Sequence, residues 1–209
     1  MRTKSVALDA SCVGKLFLKE PDSVEFRTWY QQMKATGADF QSSTLLQFEL
    51  GNIVRREFAA DERQGDILAA ALDGIHLQEV APADPFRFTQ ALTYYDAAYV
   101  CVAAESAALA TYDSDMVKVA RQSDPGIAIW DAKRIKAATK PGFVAWLKKQ
   151  NGAKQPLQGF AKDVQQDKFS KEAWSFLQFL GYLEEYRQIG GPTEEALDLA
   201  LEEFVAAQS

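Results

Sequence analysis

The sequence holds a single histidine and two cysteines in 209 residues. One histidine excludes mechanisms that need a histidine pair, and structural zinc sites that need several such ligands. His76 lies between Ile75 and Leu77 and reads as a scaffold residue rather than a catalytic one. Cys12 and Cys101 are too few for a disulfide scaffold and lack the CxxC spacing of zinc or redox motifs. Both are expected to be small buried thiols. No apolar run approaches the roughly 20 residues of a membrane-spanning helix. The opening Met1-Arg2-Thr3-Lys4 and the short run Val6-Ala7-Leu8 reach Asp9 before a signal-peptide core forms, which predicts a cytoplasmic location away from membranes. Positive charge is also scarce. The formal net charge is -6, and residues 140–209 carry 8 basic and 10 acidic groups, so neither half is a basic clamp. Tight binding of nucleic acid by phosphate neutralisation alone is therefore not expected.

What remains is ordinary globular composition, 47% hydrophobic and 25% charged, which predicts a folded chain, and the length allows one domain plus a small second one without deciding between one and two. Its organisation is legible from periodicity. Short apolar runs at Ser5–Asp9, Asp39–Ser43, Ile75–Val80, Leu109–Thr111 and Ile127–Ile129 read as strands. Between them, Ser11–Leu18, Glu25–Lys34, Leu45–Phe58, Asp61–Leu72, Phe86–Leu92, Asp96–Ala107 and Ser114–Arg121 have helical spacing or composition. Strands alternating with helices predict an α/β fold with a parallel sheet covered on both faces. The alternation stops near Trp130, and residues 131–141 read as a boundary between domains 1–135 and 141–207. Gly142–Gln150, Leu157–Asp167, Ala173–Gln188 and Thr193–Ala207 then predict an all-helical bundle.

Four short words place a carboxylate beside apolar neighbours: Leu8-Asp9-Ala10-Ser11, Leu46-Gln47-Phe48-Glu49, Tyr95-Asp96-Ala97-Ala98-Tyr99 and Thr111-Tyr112-Asp113. Taken singly, Asp9, Asp96 and Asp113 are ordinary helix caps and Glu49 an ordinary surface acid. Brought together they would repel one another until a divalent cation neutralised them. Oxygen ligands of this kind suit Mg²⁺ or Mn²⁺. A cation so held can polarise a phosphodiester and lower the pKa of a bound water, with no side-chain nucleophile required.

The order of these words resembles the PIN domain, in particular the VapC-like group of toxin nucleases, over roughly residues 4–130. The resemblance rests on Asp9 with Ser11, on Phe48-Glu49-Leu50-Gly51-Asn52-Ile53-Val54-Arg55-Arg56, on Tyr95-Asp96-Ala97-Ala98-Tyr99-Val100 and on Thr111-Tyr112-Asp113. It implies a three-layer PIN-like domain with metal binding and catalysis by Asp9, Glu49, Asp96 and Asp113, and hydroxyls of Ser11 and Thr111 lining the site. It also implies Mg²⁺- or Mn²⁺-dependent cleavage of RNA, commonly in a homodimer restrained by an antitoxin protein. Asp115, two residues past Asp113, is a candidate fifth acid if it lies in the first turn of a helix that Asp113 caps. Lys15 and Arg55, with Lys19, Arg56, Lys118 and Arg121, are candidate phosphate contacts, although each is equally an exposed base. Val13-Gly14-Lys15 lacks the earlier glycine and the following Ser/Thr of a phosphate loop, so an NTPase is rejected.

The tail has words of its own: Gly142-Phe143-Val144-Ala145-Trp146-Leu147, Leu157-Gln158-Gly159-Phe160-Ala161-Lys162-Asp163, Phe169-Ser170, Leu180-Gly181-Tyr182-Leu183 and Glu194-Glu195-Ala196-Leu197 to Phe204. These resemble the YozE SAM-like family, a small all-α helical bundle, over nearly all of residues 141–207. That resemblance implies a fold and no activity. The expected function is a metal-dependent endoribonuclease, the toxin of a toxin–antitoxin pair. The alternatives are a PIN fold used as a non-catalytic binding or regulatory module, and an RNA-processing nuclease that is not a toxin.

Overall fold

The protein was analysed as a computed structural model, which describes residues 5–88, 91–150, 152–166, 171–185 and 192–208. Thr89 and Gln90, Asp167, Phe169-Ser170 and the expected helical positions 186–188 lie outside the described residues. The chain divides into two compact units, one of Arg2–Arg27 and Ala38–Ala132, the other of Thr28–Gly37 and Lys133–Ser209. Among the described residues no helix is long and apolar enough to cross a membrane.

The first unit is built on five parallel strands, β1 (Ser5–Leu8), β2 (Asp39–Ser43), β3 (Ile75–Gln78), β4 (Ala108–Ala110) and β5 (Ala128–Trp130), in the order β3-β2-β1-β4-β5. The α/β class and the all-parallel sheet are as the alternating pattern requires. Val6, Ala7 and Leu8 are all buried, as are all three residues of β4, because central parallel strands are covered on both faces. The strands are flanked by α1 (Ala10–Gly14), α3 (Leu46–Glu57), α4 (Gln64–Leu72), α5 (Tyr94–Ser106), α6 (Ser114–Ser123) and the first residues of α2 (Ser23–Ala35). Helix α5 packs against β1, β2 and β4. Its residues from Ala97 to Ala103 are all buried, so it is a central helix, apolar on nearly every side, and Ala and Val suit that position.

Several sequence expectations shift. The first helix ends at Gly14 instead of Leu18, and among the described residues of the expected Phe86–Leu92 helix, Phe86 and Arg87 belong to the 3-10 turn Pro85–Arg87. Helix α5 starts at Tyr94, two residues before Asp96, because Thr93 caps it. Residues 131–141, read as a boundary, contain the helix α7 (Ala132–Thr139), whose Ile135, Ala137 and Ala138 are buried.

The second unit is helical. It comprises the latter part of α2, α7 from Lys133, α8 (Phe143–Leu147), α9 (Leu157–Gln166), α10 (Phe176–Glu185) and α11 (Pro192–Ala206). Several aromatic rings meet within it. Phe143 meets Phe176 edge-on at 5.1 Å between centroids and Phe204 at 5.3 Å, while Trp146 lies 5.2 Å from Phe204. Arg134 on α7 donates to Asp198 on α11 at 2.9 Å.

Candidate active site

The sheet order makes β1 and β4 neighbours although β1 is followed in the chain by β2. From β1 the chain proceeds outward to β2 and β3, then returns to the other side of β1 for β4 and β5. The carboxyl ends of β1 and β4 therefore form the topological switch point, where open α/β sheets leave a crevice. Register pairs Leu8 with Ala110, which sets Asp9 and Thr111 side by side just past the strands.

Asp9 is 2% exposed. Its carboxylate caps α1 by accepting from Cys12 N at 2.8 Å, and accepts from the Ser11 hydroxyl at 2.8 Å and the fully buried Thr111 hydroxyl at 2.6 Å. Burial raises its pKa, and the bonds from Thr111, Ser11 and Cys12 offset part of that rise. The same two hydroxyls tie in the β4–α6 connection. Thr111 Oγ1 accepts from Asp113 N at 3.0 Å, and Ser11 Oγ accepts from Tyr112 N at 3.1 Å. Asp113 in turn caps α6, its Oδ1 accepting from Asp115 N at 2.8 Å and Met116 N at 2.9 Å. Asp9, Ser11, Thr111 and Asp113 thus form one hydrogen-bonded chain across the switch point.

Glu49 lies in the first turn of α3 and is held by the Tyr99 hydroxyl of α5, which donates to Oε2. Burial raises the Glu49 pKa, the Tyr99 bond lowers it, and the charges of Asp96 and Asp9 raise it again. Those repulsions place Glu49 in the field of both Asp96 and Asp9. Burial and Glu49 push the Tyr99 hydroxyl well above the phenol range, so it remains a donor. Asp96, at the third position of α5, pairs with the cap residue: its N–H donates to Thr93 Oγ1 at 3.2 Å, and the Thr93 hydroxyl donates to Oδ2 at 2.6 Å. The bland reading of Asp96 as the cap itself is therefore replaced by one in which Thr93 caps and Asp96 answers. Among the described residues no Lys or Arg forms an ion pair with Asp9, Glu49, Asp96 or Asp113.

The other expected site residues sit differently. Asp115 is exposed in the first turn of α6. Arg55 is exposed six residues beyond Glu49, roughly 240° around the helix and so on another face. Lys15 is only 7% exposed, and its ammonium donates to the Pro21 carbonyl at 2.8 Å and lies 3.4 Å from Glu20, so it is occupied within its own loop. Three residues went unassigned in the sequence. Tyr99 orients Glu49, Thr93 orients Asp96, and Ser42 donates to the Leu8 carbonyl at 2.6 Å, fixing the strand end from which Asp9 emerges. Only Tyr99 had a signal, its spacing of three from Asp96, which puts both on one face of a helix.

Each acid is thus held by at least one hydrogen-bond donor. No group of three or more His, Cys, Asp or Glu among the described residues is arranged to hold a metal ion. All four are oxygen donors, and burial raises the proton affinity of two of them, Asp9 and Glu49. Comparison of the chain with known protein families, with curated proteins and with solved structures finds no match.

Proposed function

We propose that the chain is a metal-dependent endoribonuclease, with a three-layer PIN-like domain carrying the active site and a small SAM-like helical bundle as the second domain. The observation that supports this reading most is the position of Asp9 at the switch point, where the Thr111 hydroxyl donates to its carboxylate and accepts from the Asp113 backbone N–H. Glu49 feels the charges of both Asp9 and Asp96.

In this reading Asp9, Glu49, Asp96 and Asp113 hold Mg²⁺ or Mn²⁺, with Asp115 at the rim. When bound, such a cation supplies Lewis acidity to a phosphodiester and lowers the pKa of a water. The protein supplies the rest. Asp9 is the rigid anchor, fixed by three donors. Glu49, whose proton affinity is raised, is the group suited to take the proton of the attacking water, and Tyr99 holds it in place. Phe48 and Tyr95, 61% and 46% exposed, flank Glu49 and Asp96 and offer ring faces on which RNA bases stack. A cytoplasmic toxin acting as a homodimer and restrained by an antitoxin is the biological role this reading favours.

The test uses the purified full chain with mixed-sequence RNA and Mn²⁺. Cleavage that disappears in chelator and in Asp9→Asn supports the nuclease. RNA retained without cleavage makes the protein a binding module instead. Toxicity on expression, relieved by Asp96→Asn, supports the toxin role, whereas robust cleavage with harmless expression points to RNA processing.

A further inference from the structure

Lys15 and Tyr112 are used by none of the chemistry above, yet they meet beside it. Tyr112 is the residue between Thr111 and Asp113, so any rotation of its backbone moves both. The Lys15 ammonium lies 4.4 Å from the centroid of the Tyr112 ring, and the ring's other contact is the edge of Phe26 at 6.2 Å. The ammonium is fixed independently by the Pro21 carbonyl and Glu20. The loop that supplies them is itself braced: Arg27 donates to the Lys15 carbonyl at 3.0 Å and the Leu18 carbonyl at 3.2 Å. It also carries Asp22 in the left-handed region at φ 62°, a conformation that persists in a non-glycine residue only where surrounding contacts enforce it. A cation shielded from water gains most from an aromatic face. The Tyr112 hydroxyl is buried with no hydrogen-bond partner, so the ring and not the hydroxyl makes the contact that matters.

We infer that Lys15 is a positioning residue: its ammonium clamps the Tyr112 ring and thereby holds Thr111 and Asp113 in register with Asp9. This assignment rests on the nuclease reading for its catalytic consequence, but the clamp itself is testable without it. It also sets Lys15 apart from a phosphate contact, since its donors are directed at Pro21 and Glu20 and its charge at a ring.

Amide hydrogen exchange of the full chain, read by NMR, decides the matter. In Lys15→Met the amides of Tyr112 and Asp113, which donate to Ser11 and Thr111, exchange about tenfold faster, the scale of a desolvated cation–π contact. The amides of Thr111 and Val13, bonded to the Trp130 and Asp9 carbonyls, keep their protection. Tyr112→Leu reproduces the effect, Tyr112→Phe does not, and the double variant Lys15→Met/Tyr112→Leu is no worse than either single one. Should Lys15→Met fail to fold, the two Tyr112 variants still decide. Unchanged exchange at Tyr112 and Asp113, loss of protection across the whole sheet, or effects that multiply in the double variant each overturn the clamp. In the RNA assay, Lys15→Met lowers kcat about tenfold with KM unchanged, because it disturbs acids and not substrate contacts. If the wild type cuts no RNA, the nuclease reading falls while the exchange result still stands or fails alone.

Discussion

Replacing Asp9 in two ways separates its structural duty from its chemical one. Both Asp9→Ala and Asp9→Asn remove the buried charge, so the difference between them isolates the hydrogen bonds. In Asp9→Ala the Cys12 amide loses its cap, about 1 kcal/mol. The Thr111 hydroxyl, 0% exposed, loses the acceptor of its proton, about 1–3 kcal/mol more. An asparagine oxygen still accepts from Cys12 N, and its NH₂ donates to the second lone pair of Thr111 Oγ1, whose first already serves Asp113 N. One hydroxyl proton is then left without an acceptor, a cost of about 1 kcal/mol. Relief of the desolvated carboxylate offsets it, since burial is what raises the Asp9 pKa. Urea unfolding should therefore rank Asp9→Asn near the wild type and Asp9→Ala below it by roughly 1–3 kcal/mol. Both should abolish Mn²⁺-dependent cleavage. Equal destabilisation of the two variants would refute the hydrogen-bond account, and wild-type cleavage by Asp9→Asn would remove Asp9 from the chemistry.

Why some of this was legible and some not follows from the range of each interaction. The strands at Asp39–Ser43 and Ile75–Gln78 and the helix at Leu46–Glu57 are written locally, as apolar runs and helical spacing, and the parallel sheet follows from their alternation. The caps at Asp9 and Asp113 are likewise local, each accepting from an amide three residues on. Sheet order is not local. Nothing in the sequence around Asp9 or Thr111, 102 positions apart, states that β4 lies beside β1, and the shared hydroxyls exist only because it does. Tyr99 and Glu49, 50 positions apart, meet for the same reason. Lys15 was misleading because a lysine is ordinarily a surface base, and its burial depends on a loop braced by Arg27 and on a ring from β4's far end. The clustering of Thr28–Gly37 with helices beyond Lys133 is non-local in the same sense. The α7 helix was missed for a different reason. Its alanines and threonine resemble a linker, and their burial in a tertiary setting overrides the weak local signal.

Four further outcomes test the site. Phe48→Ala and Tyr95→Ala, both removing exposed rings, should raise KM for RNA by about tenfold each, the scale of one stacked base, with little change in urea stability. Tyr99→Phe deletes the donor to Glu49 and should lower kcat while leaving KM near the wild-type value, measured on the same RNA. Neither Cys12 nor Cys101 should react with a thiol reagent in the native protein, because both are buried and burial raises both thiol pKa values; labelling should appear only on unfolding. The pH dependence of stability should carry the mark of two carboxyls whose pKa values burial raises. Asp9 and Glu49 bind protons more tightly when folded than their ordinary values of 3.8 and 4.5 imply, so between those values and the raised ones the native state holds more protons than the unfolded state. Stability therefore falls as pH rises through that window and the penalty is fully present above it, opposite in sign to a salt-bridged carboxylate. The paired substitution Asp9→Asn/Glu49→Gln should flatten the decline in metal-free protein, and Mn²⁺ should flatten it in the wild type by favouring the ionised acids. A decline that persists unchanged in the double variant would locate its cause in groups other than these two carboxyls and refute the account of their raised proton affinity by burial.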